Sequence, residues 1–167
     1  MLETSVASVN SSLQRARAML KQQLPRDHEA APPPADPSEE ERAVLRRYME
    51  ATERGDAEAF VELLRADARF AMPPQPEWYV GHRAIVRLSV DGGFGSASFG
   101  VLRCVVTRAN RQPAVANYIR RPDSAEFRPL GIDVLRIEDG KIVDVTMFYG
   151  EGLFERFGLP EVLESEA

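Results

Sequence analysis

The sequence predicts an α+β domain in which helices come first and an antiparallel meander of strands follows. Two patterns lead to this fold class. Apolar residues recur at helical spacing between residues 38 and 91, and from residue 101 onward the chain runs in four segments rich in Val, Ile, Phe and Tyr. The connections between these segments are short, and loops this short join antiparallel neighbours. Helices grouped before strands indicate an α+β domain, whereas regular alternation would indicate a parallel sheet.

The helical part begins at a capping box formed by Ser38 and Glu41, which starts a helix that ends at Gly55. A second helix follows at once. A short strand, Phe70–Met72, comes next, and after a proline-rich break a third helix runs from about His82 to Asp91.

The strand part contains one strong turn signal, the dipeptide Asp139-Gly140, which is typical of a two-residue hairpin. A last short helix is predicted within Leu153–Leu163. The four predicted strands are Val101–Ala109, Pro113–Arg121, Arg128–Glu138 and Lys141–Tyr149.

Two further pieces precede this domain. Residues 5–23 carry apolar residues at helical spacing and predict one amphipathic helix. Residues 25–38 contain five prolines, which deny a helix or sheet their amide donors and favour an extended linker. The predicted organisation is therefore a helical segment at 1–24, a linker at 25–38 and a domain at 39–167.

Composition excludes several classes of protein. The 167 residues are 44% apolar and 28% charged, which is enough apolar content for a core and excludes wholesale disorder. No apolar run approaches the roughly 18 residues that a membrane span needs, and no signal peptide opens the chain, so a cytoplasmic protein is expected.

A single cysteine, Cys104, excludes an intramolecular disulfide framework, and two distant histidines argue against a metal site; no cofactor is expected. The net charge of −5 argues against nucleic acid as a partner of the whole chain, although residues 1–26 carry four basic residues against one acidic residue.

The stretch TSVASVNSSLQRARAML, residues 4–20, resembles the DNA-recognition helix of region 4 in extracytoplasmic-function sigma factors of the sigma-70 family. The resemblance implies a helix-turn-helix whose second helix enters the major groove of promoter DNA. It also implies that the first helix of that motif precedes residue 1. The chain is then expected to be the carboxyl-terminal part of a sigma factor, with RNA polymerase core and promoter DNA as partners in the full-length context. The side chains expected to contact DNA are Ser8, Ser11, Gln14 and Arg15.

Residues 39–163 are similar to SnoaL-like, or nuclear-transport-factor-2-like, domains. This resemblance implies a cone-shaped, curved antiparallel sheet with three packing helices and a pocket. Some extracytoplasmic-function sigma factors end in such a domain behind a proline-rich linker, and their tail resembles LFERFGLPEVL, residues 153–163. The domain is then expected to regulate sigma activity, and a homodimer through the open sheet face is a further expectation.

Ketosteroid isomerases share the cone fold and hold the substrate oxygen with a tyrosine and a protonated aspartic acid, beside a separate aspartate base. The resemblance places Tyr48, seven residues before Gly55, and Asp133 at the tyrosine and aspartic acid positions. The base position lies nine residues before Gly81, where this chain has Met72. A thioether cannot accept a proton, so the sequence favours a binding pocket over an isomerase.

The pocket is expected to hold a small apolar ligand, and desolvation is expected to favour the neutral form of Asp133 as a hydrogen-bond donor. Two alternatives stay open: Tyr48 as an ordinary core tyrosine, and Asp133 on the solvated face of its strand. The predicted lining residues are Tyr48, Met72, Trp78, Asp133 and Met147, with Phe70 and Tyr79 beside them.

The alternative function is a small cofactor-free enzyme of the same fold, an isomerase, polyketide cyclase or epoxide hydrolase acting on an apolar ligand. It would need a carboxylate other than Asp133 in the cavity, for instance Glu77 or Asp144. An epoxide-hydrolase-like set could also be drawn from Asp133, Arg103 and Asp144, although no spacing selects these three. A purely structural domain, filled by its own side chains, is a third possibility.

Overall fold

The computed structural model describes residues 37–164 together with residues 11, 13–15 and 19. The chain divides into two units, Met1–Pro33 and Pro34–Ala167. In the first unit the described residues are helical and exposed, and these include Ser11, Gln14 and Arg15. Ser8, the rest of the helix predicted over residues 5–23 and most of the predicted linker lie outside the described residues.

The first half of the second unit contains three helices: α1 spans Glu39–Arg54, α2 spans Ala57–Leu63 and α3 spans His82–Asp91. The predicted capping box at the start of α1 is confirmed. Ser38 Oγ accepts a hydrogen bond from the Glu41 amide at 3.0 Å, and the Glu41 carboxylate accepts one from the Ser38 amide at 2.7 Å. Gly55 ends α1 with a φ of 63°, in the left-handed region that favours glycine.

Six strands form one curved mixed sheet. They are β1 (Leu64–Ala71), β2 (Trp78–Val80), β3 (Val101–Ala109), β4 (Gln112–Arg120), β5 (Arg128–Glu138) and β6 (Lys141–Phe148). Their spatial order is β2-β1-β6-β5-β4-β3. Neighbouring strands are antiparallel except β1 and β6, which run parallel. The α+β class predicted from the sequence is therefore confirmed, with one parallel pair added to the antiparallel meander.

The strand boundaries agree closely with the sequence pattern. The predicted turn at Asp139-Gly140 joins β5 and β6, and both residues have positive φ, 49° and 69°. A second such turn, at Asn110-Arg111 with φ of 50° and 67°, joins β3 and β4. Two features differ from prediction. Strand β1 begins six residues before the predicted strand Phe70–Met72 and ends one residue before the end of that strand, at Ala71. The three-residue strand β2 was not predicted.

Both faces of the sheet carry packed side chains. One face packs against α1, α2 and α3 over the larger core. The other face is covered in part by the carboxyl-terminal segment, which contains a short helix α4, Leu153–Arg156, within the predicted range Leu153–Leu163. Phe154 meets the Tyr118 ring edge-on at 4.9 Å between centroids, and the Tyr118 hydroxyl donates to the Pro160 carbonyl at 2.8 Å. Strand β4, which carries Tyr118, is consequently buried on both sides.

Within the described residues, no helix is both long and apolar enough to cross a membrane.

Candidate ligand-binding site

A cavity of about 300 Å³ lies between the three helices and the sheet. Its walls are mostly apolar, and its polar groups come from α1, α3, β4 and β5. The apolar lining residues are Phe60, Phe70, Met72, Leu88, Phe94, Phe99, Leu102, Leu130 and Met147. The polar lining residues are Tyr48, Thr52, Ser89, Asn117 and Asp133.

The polar centre of the cavity is a hydrogen bond between Tyr48 and Asp133. Tyr48 lies on the buried side of α1, and Asp133 lies in the middle of β5, paired with Met147 on β6. The Tyr48 hydroxyl donates to Asp133 Oδ2 at 2.7 Å. Both side chains are buried, Asp133 being only 5% exposed. The prediction that these two residues share one site agrees with this geometry, and the solvated alternative for Asp133 does not.

Asn117 extends this hydrogen bond into a network of four side chains. It lies on β4, opposite Cys104 on β3. Its amide nitrogen donates to Asp133 Oδ2 at 2.5 Å, and its amide oxygen accepts from the Cys104 thiol at 3.3 Å. The Cys104 backbone amide, on the open side of edge strand β3, donates to Glu53 Oε1 at 2.8 Å.

Two buried oxygens of this site are unpaired within the part of the chain that the structure describes. Asp133 Oδ1 and Thr52 Oγ1 are buried, and neither has a hydrogen-bond partner among the described residues. An unpaired buried polar atom destabilises a fold by about 1–3 kcal/mol. Thr52 lies one helical turn after Tyr48, and both Thr52 and Asp133 line the cavity.

Burial sets the protonation of the network. It raises the pKa of Asp133 to about 6, and the hydrogen bonds from Tyr48 and Asn117 oppose a further rise. Burial, followed by the charge of Asp133, raises the pKa of Tyr48 well above its ordinary value. Burial, followed by Glu53 and Asp133, raises the pKa of the Cys104 thiol. Near pH 7 the tyrosine and the thiol are therefore neutral donors. The pKa of Asp133 is raised in the direction expected from desolvation, which favours the neutral acid, and a pKa of about 6 places its titration just below neutral pH.

A family model for the SnoaL-like domain matches residues 45–145. The chain belongs to the SnoaL-like family. The matched range contains both members of the Tyr48–Asp133 pair and ends just before Met147.

Relatives extend the similarity on both sides of this domain. The chain is 37% identical over 160 residues to the extracytoplasmic-function RNA polymerase sigma factor SigG of Mycobacterium tuberculosis. The match covers 96% of this chain and 42% of that protein, in its carboxyl-terminal part. The chain thus spans less than half the length of this relative. The family resemblance read from the sequence is confirmed.

Solved structures agree with the fold of the SnoaL-like domain. A candidate ketosteroid isomerase from Kribbella flavida superposes with a TM-score of 0.54 at 26% identity, over 68% of this chain and 80% of that one. The Δ5-3-ketosteroid isomerase of a Mycobacterium species superposes with a TM-score of 0.50 at 16% identity, over 66% of this chain and 93% of that one. An NTF2-like protein of unknown function from Burkholderia xenovorans superposes with a TM-score of 0.52 at 18% identity, over 77% of this chain and 97% of that one.

The SnoaL-like cavity brings together four of the five predicted pocket residues: Tyr48, Met72, Asp133 and Met147. Trp78 does not line it. This residue lies on edge strand β2 with 65% of its side chain exposed, because β2 is the outermost strand and pairs only with β1. The neighbouring Tyr79 packs against the core without lining the cavity.

The carboxylates that an enzyme of this fold would need lie elsewhere. Asp144 pairs with Arg136, whose Nε lies 2.6 Å from Asp144 Oδ2, and Glu77 is exposed. Arg103 lies over the Phe127 ring at 4.9 Å, on the sheet face away from the cavity. The set Asp133, Arg103 and Asp144 therefore does not converge, and Asp133 is the one carboxylate that lines the cavity in the described part of the chain.

Among the cavity residues that the predicted lining did not include, the two loop phenylalanines and one buried amide are the most informative. Phe94 and Phe99 belong to the glycine-rich segment after α3, which was predicted to be only a loop. Gly95 brings this loop against Gly55, where a Cβ on Gly55 would lie 2.6 Å from the Gly95 Cα. Asn117 was also missed, although an amide in the middle of the apolar segment PAVANYI is a signal that a buried partner is needed.

Proposed function

We propose that this chain is the carboxyl-terminal portion of an extracytoplasmic-function sigma factor, and that its SnoaL-like domain regulates the sigma factor by binding a small, mostly apolar molecule. The observation that carries the sigma-factor assignment is the extent of the similarity to the M. tuberculosis protein. It covers 96% of the chain and so includes the helical and proline-rich segments as well as the domain. In the full-length context the partners are RNA polymerase core and promoter DNA, which places the protein in the cytoplasm.

The proposed DNA contacts are made by one helix of the full-length protein. The exposure of Ser11, Gln14 and Arg15 is consistent with this role, since a side chain that reads a groove must be accessible. The isolated chain is not expected to initiate transcription. A single recognition helix lacks the scaffold that orients it in the groove, and the acidic excess of the domain opposes binding to phosphate.

The proposed role of the cavity is binding, and its composition supports this over catalysis. Proton abstraction next to a carbonyl needs a base beside the hydrogen-bonding pair, and Met72 lines the cavity at the position that the resemblance gives to that base. The remaining carboxylate, Asp133, already accepts two hydrogen bonds on one oxygen. An isomerase, cyclase or epoxide hydrolase is thus supported less well than a binding module.

A homodimer through the sheet has weaker support. The side chains around Tyr118 and Ile132 on the face away from the helices are covered by the segment that contains Phe154. A second copy would have to use the remainder of this face, where Phe148 is partly exposed.

Transcription in vitro tests the regulatory role. The amino-terminal part of the M. tuberculosis relative would be joined ahead of residue 1, and the hybrid would be compared with the same hybrid ending at residue 38. Removal of residues 39–167 is expected to change promoter-dependent transcription at least threefold, whereas the unfused 167-residue chain gives none. Equal transcription by the two hybrids would contradict the regulatory role.

A further inference from the structure

We infer that the cavity selects a ligand with a hydroxyl group, which donates to Asp133 Oδ1, over the corresponding ketone. This inference rests on the proposed binding function and names the ligand chemistry for the same cavity. Its basis is the direction of each hydrogen bond in the network of Tyr48, Cys104, Asn117 and Asp133. These directions determine which donor or acceptor atom is still available to a ligand.

The orientation of Asn117 follows from both of its neighbours. The buried Cys104 thiol is neutral and can donate to the amide oxygen of Asn117. The opposite orientation would place that amide oxygen 2.5 Å from Asp133 Oδ2, where two acceptors would repel. The amide nitrogen therefore faces Asp133 and donates to it.

The Tyr48 hydroxyl donates to the same carboxylate oxygen. Its hydroxyl proton lies on the 2.7 Å hydrogen bond to Asp133 Oδ2. In the isomerase arrangement a tyrosine and a neutral aspartic acid both donate to the substrate oxygen. Here Asn117 and Tyr48 both donate to Asp133 Oδ2, so the Tyr48 proton is already used. When Asp133 is ionised, as it is well above a pKa of about 6, its other oxygen is an acceptor and neither residue offers a ketone a donor.

The acceptor that remains is Asp133 Oδ1. It has no partner among the described residues, and it belongs to a cavity-lining residue that is 95% buried. The oxygen itself is covered by surrounding atoms, so a ligand hydroxyl reaches it when neighbouring side chains move aside. A ligand hydroxyl would satisfy this oxygen, while a ketone oxygen would face it as a second acceptor. The unpaired Thr52 hydroxyl can donate or accept, so it can serve either ligand and does not reverse the preference.

The volume of the cavity indicates how much of an apolar ligand it can surround. A cavity of about 150 Å³ holds benzene, and this one is about 300 Å³, which corresponds to about two rings. The expected ligand is therefore a neutral alcohol or phenol with a compact apolar body of about that size.

The test uses 2-tetralol and 2-tetralone, which share one bicyclic carbon skeleton and differ only in hydroxyl against carbonyl. Isothermal titration calorimetry on the 167-residue chain at pH 8 measures both dissociation constants. The alcohol is expected to bind at least about tenfold more tightly, since a hydrogen bond to a charged group typically has that effect. Equal or tighter binding of the ketone would overturn the inference while leaving the binding function intact. Binding of neither compound would contradict both.

Two variants sharpen the comparison. In Asp133→Asn the amide oxygen takes the position that receives the two donors, so the amide NH₂ takes the position of Oδ1 and the preference is expected to reverse toward the ketone. Asp144→Asn is the matched control, because Asp144 pairs with Arg136 outside the cavity and its loss should leave the preference unchanged. An unreversed preference in a folded Asp133→Asn protein would contradict the assignment of Oδ1. If circular dichroism shows that variant unfolded, the comparison of the two compounds on the parent chain decides.

Discussion

Replacement of Asp133 by asparagine is expected to change how the stability of the domain depends on pH. Asp133 is buried, and its pKa in the folded protein is about 6, compared with 3.8 for an unperturbed group. Between these values the unfolded chain has lost its proton while the folded chain retains it. Folding therefore binds a proton in this range, and the free energy of unfolding falls as the pH rises from about 4 to above 6.

The size of this effect follows from the two pKa values. One pH unit corresponds to 1.36 kcal/mol, so a pKa raised from 3.8 to about 6 removes about 3 kcal/mol of stability, most of it between pH 4 and pH 7. The side chain of Asp133→Asn has the same shape and does not titrate. The parent chain should consequently lose about 2–3 kcal/mol relative to the variant over this range.

Urea unfolding at pH 4, 5, 6 and 7, followed by circular dichroism, measures the difference between the two proteins. The other carboxylates are common to both, so their titration cancels in the difference. A difference that stays constant over this range, or one in which the parent gains stability with pH, would show that Asp133 is not a desolvated acid and would refute this account of the site.

Three further changes should alter stability in ways that urea unfolding can measure. Tyr48→Phe removes a hydrogen bond to an ionised Asp133 and should destabilise the domain by about 1.5–3 kcal/mol at pH 8 and by less at pH 4; a cost independent of pH would contradict the pairing. Gly55→Ala places a Cβ against the backbone of the glycine-rich loop and should destabilise by about 3 kcal/mol or more. Gly158→Ala, which has a similar φ and open space, should cost only about 1 kcal/mol, and equal costs would argue against the close approach. Phe154→Ala should destabilise by about 3–5 kcal/mol because it uncovers the second core, and a cost under 1 kcal/mol would show that the tail is not docked.

Local sequence signals were sufficient for most of the fold. The Ser38–Glu41 capping box and the Asp139-Gly140 turn depend on residues within a few positions of each other, and both are present where the sequence predicts them. Strand β3 and strand β5 likewise have the predicted bounds, since their runs of β-branched and aromatic residues are bounded by turn residues.

Features that depend on distant contacts were not predictable in this way. The parallel pairing of β1 with β6 joins segments more than seventy residues apart. Strand β2 has only three residues, too few to show an alternating pattern, and its position at the sheet edge explains why Trp78 is exposed when the sequence placed it in the pocket.

The candidate site could be predicted only in part. The family resemblance identified Tyr48 and Asp133, but the protonation of Asp133 depends on Asn117, whose position on the neighbouring strand only the fold reveals. Desolvation alone predicts a neutral acid, while two donors on one oxygen keep its pKa near 6. The loop phenylalanines reach the cavity because Gly95 contacts Gly55, a pairing of distant residues that no local pattern encodes.

The central claim, that the SnoaL-like cavity is a binding site for a small apolar alcohol, is tested most directly by methyl NMR on the 167-residue chain labelled at its methionines. Met72 and Met147 line the cavity, Met49 packs in the core and Met19 is exposed, so the methyl groups report on different locations. Addition of 2-tetralol is expected to shift the resonances of Met72 and Met147 saturably and to leave that of Met19 unchanged. Unchanged Met72 and Met147 resonances at millimolar 2-tetralol would contradict the claim.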